Sequence, residues 1–276
     1  MPTKTTSMLR QLFVLKKIFL LFLGLIGAVT IVRADLPQTV EKIRGSVVGV
    51  GTYQKTRSPA TNMLGTGFVV ADGLHVITNS HVKPAFLNME KKEVLIVLTG
   101  RGQEVEIREA EVVASDSDHD LVLLKIKGAP LPALVLGDPS SVREGQHYAF
   151  TGFPIGAILG LYHVTHQAMI SSLTPIVVPT RGAKDLDVKS VTRLRKSFDV
   201  FQLDATAYPG NSGSPLYHPN SGQVVGVLNM VFVKLTKEKV LSDPSGIAYA
   251  IPVNHVKDLL KRAGEKKLAR AHPTRP

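Results

Sequence analysis

Short apolar runs parted by turn residues dominate the chain from residue 46 onward. Residues 46–51 read as a strand, and residues 52–64 are polar and contain Ser58-Pro59, the mark of an exposed loop. Residues 65–70 and 74–78 flank Ala71-Asp72-Gly73, so they read as a β-hairpin. Residues 94–98 follow, then a glycine-rich turn at 100–102. Residues 105–113 alternate apolar and charged positions, as a half-buried strand does, while residues 121–126 are apolar enough for a central strand. After Pro130-Leu131-Pro132 the pattern starts again, with strands expected at 147–152, 165–172, 199–203, 214–217, 223–232 and 246–251. Residues 39–44 form a short amphipathic stretch. The one clear amphipathic helix is 253–262, with Val253, Val256, Leu259 and Leu260 on one face. Many short strands separated by turn signals predict an all-β protein of barrels or sandwiches.

The first 34 residues follow another pattern. Lys4, Arg10, Lys16 and Lys17 precede an apolar stretch at 18–32, interrupted only by Gly24, Gly27 and Thr30. A spanning helix needs about 20 apolar residues, and this stretch is shorter. Val32-Arg33-Ala34 resembles a signal-peptidase site. The expectation is a signal peptide at 1–34 and export to a bacterial periplasm or envelope, with an inner-membrane anchor at residues 12–32 as the alternative. The 276 residues include no cysteine, so an exported chain of this kind must rely on packing rather than disulfides.

The net charge of +11 belongs to the ends of the chain. Residues 1–34 carry +5 and residues 261–276 carry +5, which leaves +1 for the body. The high pI is therefore no sign of nucleic-acid binding, and no aromatic residues stand among the basic residues of the tail to stack on bases. Residues 265–276 read as a disordered basic tail. Its contact with an anionic membrane surface stays open. A second basic stretch, residues 181–197, reads as a loop that either gates a nearby site or is a passive insertion.

Candidate chemistry centres on Gly210-Asn211-Ser212-Gly213-Ser214-Pro215. Glycines let the backbone bend tightly and turn its N–H groups toward an anion beside the serine. A serine hydroxyl is a poor nucleophile until a base takes its proton and a third group orients that base. His81, in Thr78-Asn79-Ser80-His81, is the candidate base. Asp120 is the candidate orienting group because the apolar strand starts right after it, although Asp116 and Asp118 are rival carboxylates. The pair His163-x-x-His166 lacks a third ligand and reads as a surface loop rather than a metal site. His75 reads as structural.

In these segments the chain resembles the HtrA/Deg family of exported trypsin-like serine proteases. The likeness is carried by residues 65–70 through Thr78-Asn79-Ser80-His81-Val82, by residues 120–126, by Gln202-Leu203-Asp204-Ala205, by Pro209-Gly210-Asn211-Ser212-Gly213 and by residues 246–252, and it spans about residues 38 to 262. The resemblance implies two packed six-stranded antiparallel β-barrels and a C-terminal helix. The protease domain would occupy residues 35–264, with one barrel at about 35–130, the other at about 140–252 and the helix at about 253–263. It implies a serine endopeptidase acting on protein or peptide substrates without metal or cofactor. Ser212 would be the nucleophile, His81 the base and Asp120 the orienting acid. Gly210, Ser212 and Asn211 would form the oxyanion hole. Thr206, Ala207 and Tyr208 would line the specificity pocket, and the protein would assemble as a trimer. Ser214 departs from the family, which usually has glycine there, and the chain leaves no room after its helix for a PDZ domain. The alternative is a weakly catalytic protease-like binding or chaperone protein.

Overall fold

A computed structural model describes residues 35–102, 104–154, 160–176, 198–229 and 246–264. The segments expected to be a signal peptide or anchor, a gating loop and a basic tail lie outside the described residues.

Twelve strands close into two barrels of identical strand order. The first holds β1 (Val47–Tyr53), β2 (Thr61–Val70), β3 (His75–Asn79), β4 (Val94–Arg101), β5 (Glu104–Asp116) and β6 (Leu121–Ile126), paired as β1-β2-β3-β6-β5-β4. The second holds β7 (His147–Gly152), β8 (Val164–Ile176), β9 (Phe198–Asp204), β10 (Pro215–Tyr217), β11 (Val224–Asn229) and β12 (Ile247–Pro252), paired as β7-β8-β9-β12-β11-β10. Every strand pair is antiparallel, and closure leaves neither barrel with a free edge. Helix α1 (Leu36–Arg44) precedes the first barrel and helix α2 (Asn254–Arg262) follows the second. Asp35 caps α1 by accepting the Leu36 N–H.

Three apolar clusters explain the sequence pattern. Val48, Val50, Val69, Val76, Val97, Val122 and Leu124 fill the first barrel, and Phe150, Ile170, Phe201, Leu203 and Leu216 belong to the second barrel's cluster. A third cluster joins the two barrels. Phe68, Ile77, Leu121 and Leu123 of the first meet Phe153, Tyr217, Val227 and Ile251 of the second. Strands β3 and β6 are thus buried on both faces, which is why residues 121–126 read as a continuous apolar run rather than an alternating one. Val256, Leu259 and Leu260 of α2 join the same shared cluster, so the C-terminal helix packs back across the seam.

Two expectations need correction. The polar loop is shorter than residues 52–64, because β1 continues to Tyr53 and β2 starts at Thr61, where pairing continues across an irregular register at Val50 and Gly51. The stretch 105–113 is not a half-buried strand. Of β5 only Ala110 and Asp116 are buried, and Val105, Ile107, Val112 and Val113 face solvent, with a register shift between Val112 and Ala114. Of the expected 223–232 strand, β11 covers Val224–Asn229, and residues 230–232 lie outside the described residues.

Candidate active site

The site lies where the barrels meet, at Gly65 and Thr66 in the middle of β2, the C-terminal end of β3 and the loop before β10. His81 sits in a single 3-10 turn (Ser80–Val82) directly after β3. Asp120 ends the turn between β5 and β6 with φ +53°, a left-handed backbone that aspartate tolerates better than most residues. That conformation turns both its polar ends toward the histidine segment. Its carbonyl accepts the Ser80 N–H at 3.0 Å and Asn79 Nδ2 at 3.1 Å. Its carboxylate accepts the His81 N–H at 3.0 Å and lies 2.5 Å from His81 Nδ1. With Nδ1 so engaged, Nε2 is the ring nitrogen free to act as a base.

Of the rival carboxylates, Asp116 is occupied elsewhere. Asp116 accepts from the His119 backbone at 3.2 Å, from His119 Nδ1 at 2.9 Å and from Arg262 Nη2 of α2. Burial opposes its charge, but the bonds from His119 and Arg262 outweigh it and hold the carboxyl below the usual range. It is a structural clasp for the C-terminal helix. The Asp118 side chain is exposed.

Ser212 is buried and comes from the second barrel, yet the first barrel seats it. The Thr66 N–H donates to the Ser212 carbonyl at 2.9 Å. A Cβ added to Gly65 would meet that carbonyl at 3.0 Å and the Val82 methyls at 2.8 Å. The serine segment and the histidine segment therefore pack on the same carbon of β2. Thr66 reaches further. Its hydroxyl donates to the Gly210 carbonyl at 2.7 Å and accepts the Phe153 N–H at 3.0 Å, and its carbonyl accepts the Thr78 hydroxyl at 2.6 Å.

The candidate oxyanion turn is well defined. The Asn211 N–H donates to the Tyr208 carbonyl at 3.0 Å, and Gly210 has φ +101°. Proline second and a left-handed glycine third make Tyr208-Pro209-Gly210-Asn211 a type II turn. Types I and II differ by a flip of the central peptide, so this φ fixes the side on which the Gly210 N–H lies. Gly213, φ +87°, must be glycine for a second reason: a Cβ there would stand 2.0 Å from the Thr66 carbonyl. The Gly213 N–H and the Ser214 carbonyl then bond the backbone of Leu228, extending the β10–β11 ladder toward the serine.

Of the expected pocket residues, Thr206 and Tyr208 are half-buried, while Ala207 is buried with the interior of the second barrel. His163 and His166 do not form a surface loop. Both are half-buried: Nε2 of His163 lies 3.0 Å from the Val47 carbonyl, and His166 lies within β8 and stacks on Phe150 at 4.8 Å. Burial holds both rings below the usual histidine pKa. His75 is buried with Nδ1 2.8 Å from Asp72, in the structural role expected of it. Among the described residues no cluster of three or more acidic, histidine or cysteine side chains is placed to hold a metal ion.

Two residues that matter were missed from sequence. Asn229, fully buried at the end of β11, donates to Asp120 Oδ2 at 2.7 Å and is the second barrel's contact with the carboxylate. Its signal was faint: a lone amide closing the apolar run 224–229. Thr66 gave none, since a threonine in a strand is ordinary.

This geometry defines a two-barrel protein with a histidine–aspartate pair facing a serine turn across the seam. The chain belongs to the trypsin-like peptidase domain family, whose match covers residues 65–227. It is 28% identical over 196 residues to a probable periplasmic serine endoprotease DegP-like of Halomonas elongata, covering 71% of this chain and 34% of that one. It is 30% identical over 239 residues to serine protease HTRA4 of Mus musculus, covering 83% and 41%. The chain thus spans 34% and 41% of these relatives' lengths. Among solved structures, the HtrA-type protease AlgW with decapeptide superposes with a TM-score of 0.61 at 21% identity, covering 86% of this chain and 69% of that one. The Rv3671c protease in its inactive form gives 0.57 at 23%, covering 82% and 92%. The fold is that of HtrA protease domains.

Proposed function

We propose that the chain is a serine endopeptidase of the HtrA type, cleaving peptide bonds of protein substrates. The observation that carries this reading is the 2.5 Å contact between His81 Nδ1 and Asp120 on a histidine segment packed against the seat of Ser212. Ser212 Oγ attacks the scissile carbonyl carbon while His81 Nε2 takes its proton. The oxyanion is met by the N–H groups of Gly210 and Ser212 at the type II turn, with Asn211 between them. The C–N bond then breaks as His81 gives the proton to the leaving amine, and a water repeats the sequence to free the acid. Asp120 holds the imidazole tautomer and stabilises its charged form, and Asn229 steadies Asp120. Thr206, Ala207 and Tyr208 shape the substrate pocket, and an alanine where HtrA chains often carry a larger aliphatic residue alters its size.

The reading includes export, with residues 1–34 as the signal peptide and the periplasm or envelope as the destination. Periplasmic relatives and the basic, then apolar, start of the chain support it. A trimer, and contact of the basic ends with an anionic membrane, are its weaker corollaries. Ser212→Ala is expected to lower kcat on a casein-derived fluorogenic substrate by about a millionfold. Undiminished cleavage by that variant would end the proposal.

A further inference from the structure

Behind the oxyanion turn lies a small polar nook. Gly152, the last residue of β7, forms one wall. A Cβ added to it would come within 2.1 Å of Ser214 Oγ, 2.9 Å of Thr66 Oγ1 and 3.0 Å of Asn211 Oδ1. Three oxygens, two from the serine turn and one from β2, thus converge on one point. Asn211 and Ser214 are fully buried.

Their hydrogen bonding is uneven. Thr66 Oγ1 is engaged twice, with the Gly210 carbonyl and the Phe153 N–H. Ser214 Oγ and both side-chain amide atoms of Asn211 have no hydrogen-bond partner among the described residues. Folded interiors leave few polar atoms unpaired, and those that remain call for a water, an ion or a functional role. The Ser214 hydroxyl and the two ends of the Asn211 amide are the two to four polar partners that a single buried water takes. An ion suits the nook less well, because the three unpaired groups carry no charge.

The nook also sits where it can act on the turn. The Asn211 backbone is already committed, its N–H to Tyr208 and its carbonyl to the Ser214 N–H at 3.0 Å. Its side chain is what remains to be fixed, and it lies between the two proposed oxyanion donors, Gly210 and Ser212. Serine at 214, where HtrA-type chains usually have glycine, brings the hydroxyl. Glycine at 152 admits that hydroxyl, since a Cβ there would stand 2.1 Å from it.

Resting on the serine-peptidase reading of Ser212, we propose that Ser214 is a positioning residue: with the Asn211 amide it holds one buried water that pins the oxyanion turn. The water bridges Ser214 Oγ and the Asn211 side chain and so limits rotation of the Gly210–Ser212 backbone. The bridge acts on the N–H groups that meet the transition state and leaves substrate binding alone.

The test pairs a high-resolution crystal structure of the parent protein with peptide kinetics of Ser214→Ala and Ser214→Gly in the full chain. The expected structure shows a water within hydrogen-bond distance of Ser214 Oγ and the Asn211 side chain. Both variants are expected to lose about tenfold in kcat with KM unchanged, and Ser214→Ala to melt at lower temperature. A nook without water overturns the proposal. So does a Ser214→Ala variant with unchanged kcat and a raised melting temperature, the result of deleting a hydroxyl that was merely unpaired. If the parent protein shows no serine-dependent turnover, the peptidase reading fails on its own account, and the crystallographic water still decides the nook.

Discussion

The two barrels share one strand order but hold their halves of the site in different ways. The first barrel builds its half locally. Asp120 is gripped by Asn79, Ser80 and His81 within a few residues of β3, and among the described residues Asn229 alone reaches it from outside. The second barrel secures only the far side of its half, where Gly213 and Ser214 bond the Leu228 backbone. The Ser212 turn hangs on Thr66 of the first barrel, through the Ser212 and Gly210 carbonyls. The base and its orienting acid are therefore features of one barrel, while the nucleophile depends on how the barrels dock. Substitutions on the two sides should separate catalysis from stability.

The largest effect belongs to the locally built half. Asp120→Asn is expected to lower kcat by about ten-thousandfold, because the amide selects the wrong imidazole tautomer, with little change in melting temperature. An equal loss of fold stability would mean that Asp120 serves the barrel rather than the reaction. Thr66→Val comes next and should behave differently. It removes the hydroxyl that joins Gly210 to Phe153, so kcat should fall about a hundredfold and stability by about 1–3 kcal/mol together, measured by turnover and by denaturant melts. A loss in only one of these would break the contrast between the barrels.

The smallest effect concerns the clasp of the C-terminal helix. His255 of α2 stacks on His119 at 3.8 Å, with Phe198 edge-on to both. Burial first, then the neighbouring His119, pushes the pKa of His255 down from 6.5 to about 4, against the opposing pull of Asp116 and Asp258. Folding favours the neutral ring, so the unfolded chain binds the proton that the folded chain refuses. This contribution is complete above about pH 6.5 and is lost as the pH falls toward about 4. Thermal melts over that window should show a declining melting temperature, and His255→Phe should flatten part of the decline. His163 and His166, held below the usual range by burial, and Asp116, held low by His119 and Arg262, add to the same decline.

Much of this was legible in the residues themselves. The strands announced themselves through short apolar runs and turns, and both faces of β6 were readable from its unbroken apolar run. The triad candidates stood out because each is flanked by a strand end or by glycines. What stayed hidden has a common physical character. Thr66 and Asn229 act across the seam, on partners 144 and 109 residues away, and no local pattern encodes such a pairing. The outward face of β5 was misread because alternation on a strand shows two faces without saying whether either is covered. His163 and His166 were misplaced because a pair of histidines carries no periodicity of its own.

One measurement bears most directly on the site at the seam: mass-spectrometric mapping of the adduct left by a fluorophosphonate probe on the intact protein. A single adduct on Ser212 is expected, absent in Ser212→Ala and strongly slowed in His81→Ala and Thr66→Val. An adduct on another residue, or labelling of Ser212 at the parent rate after His81 is removed, would contradict it.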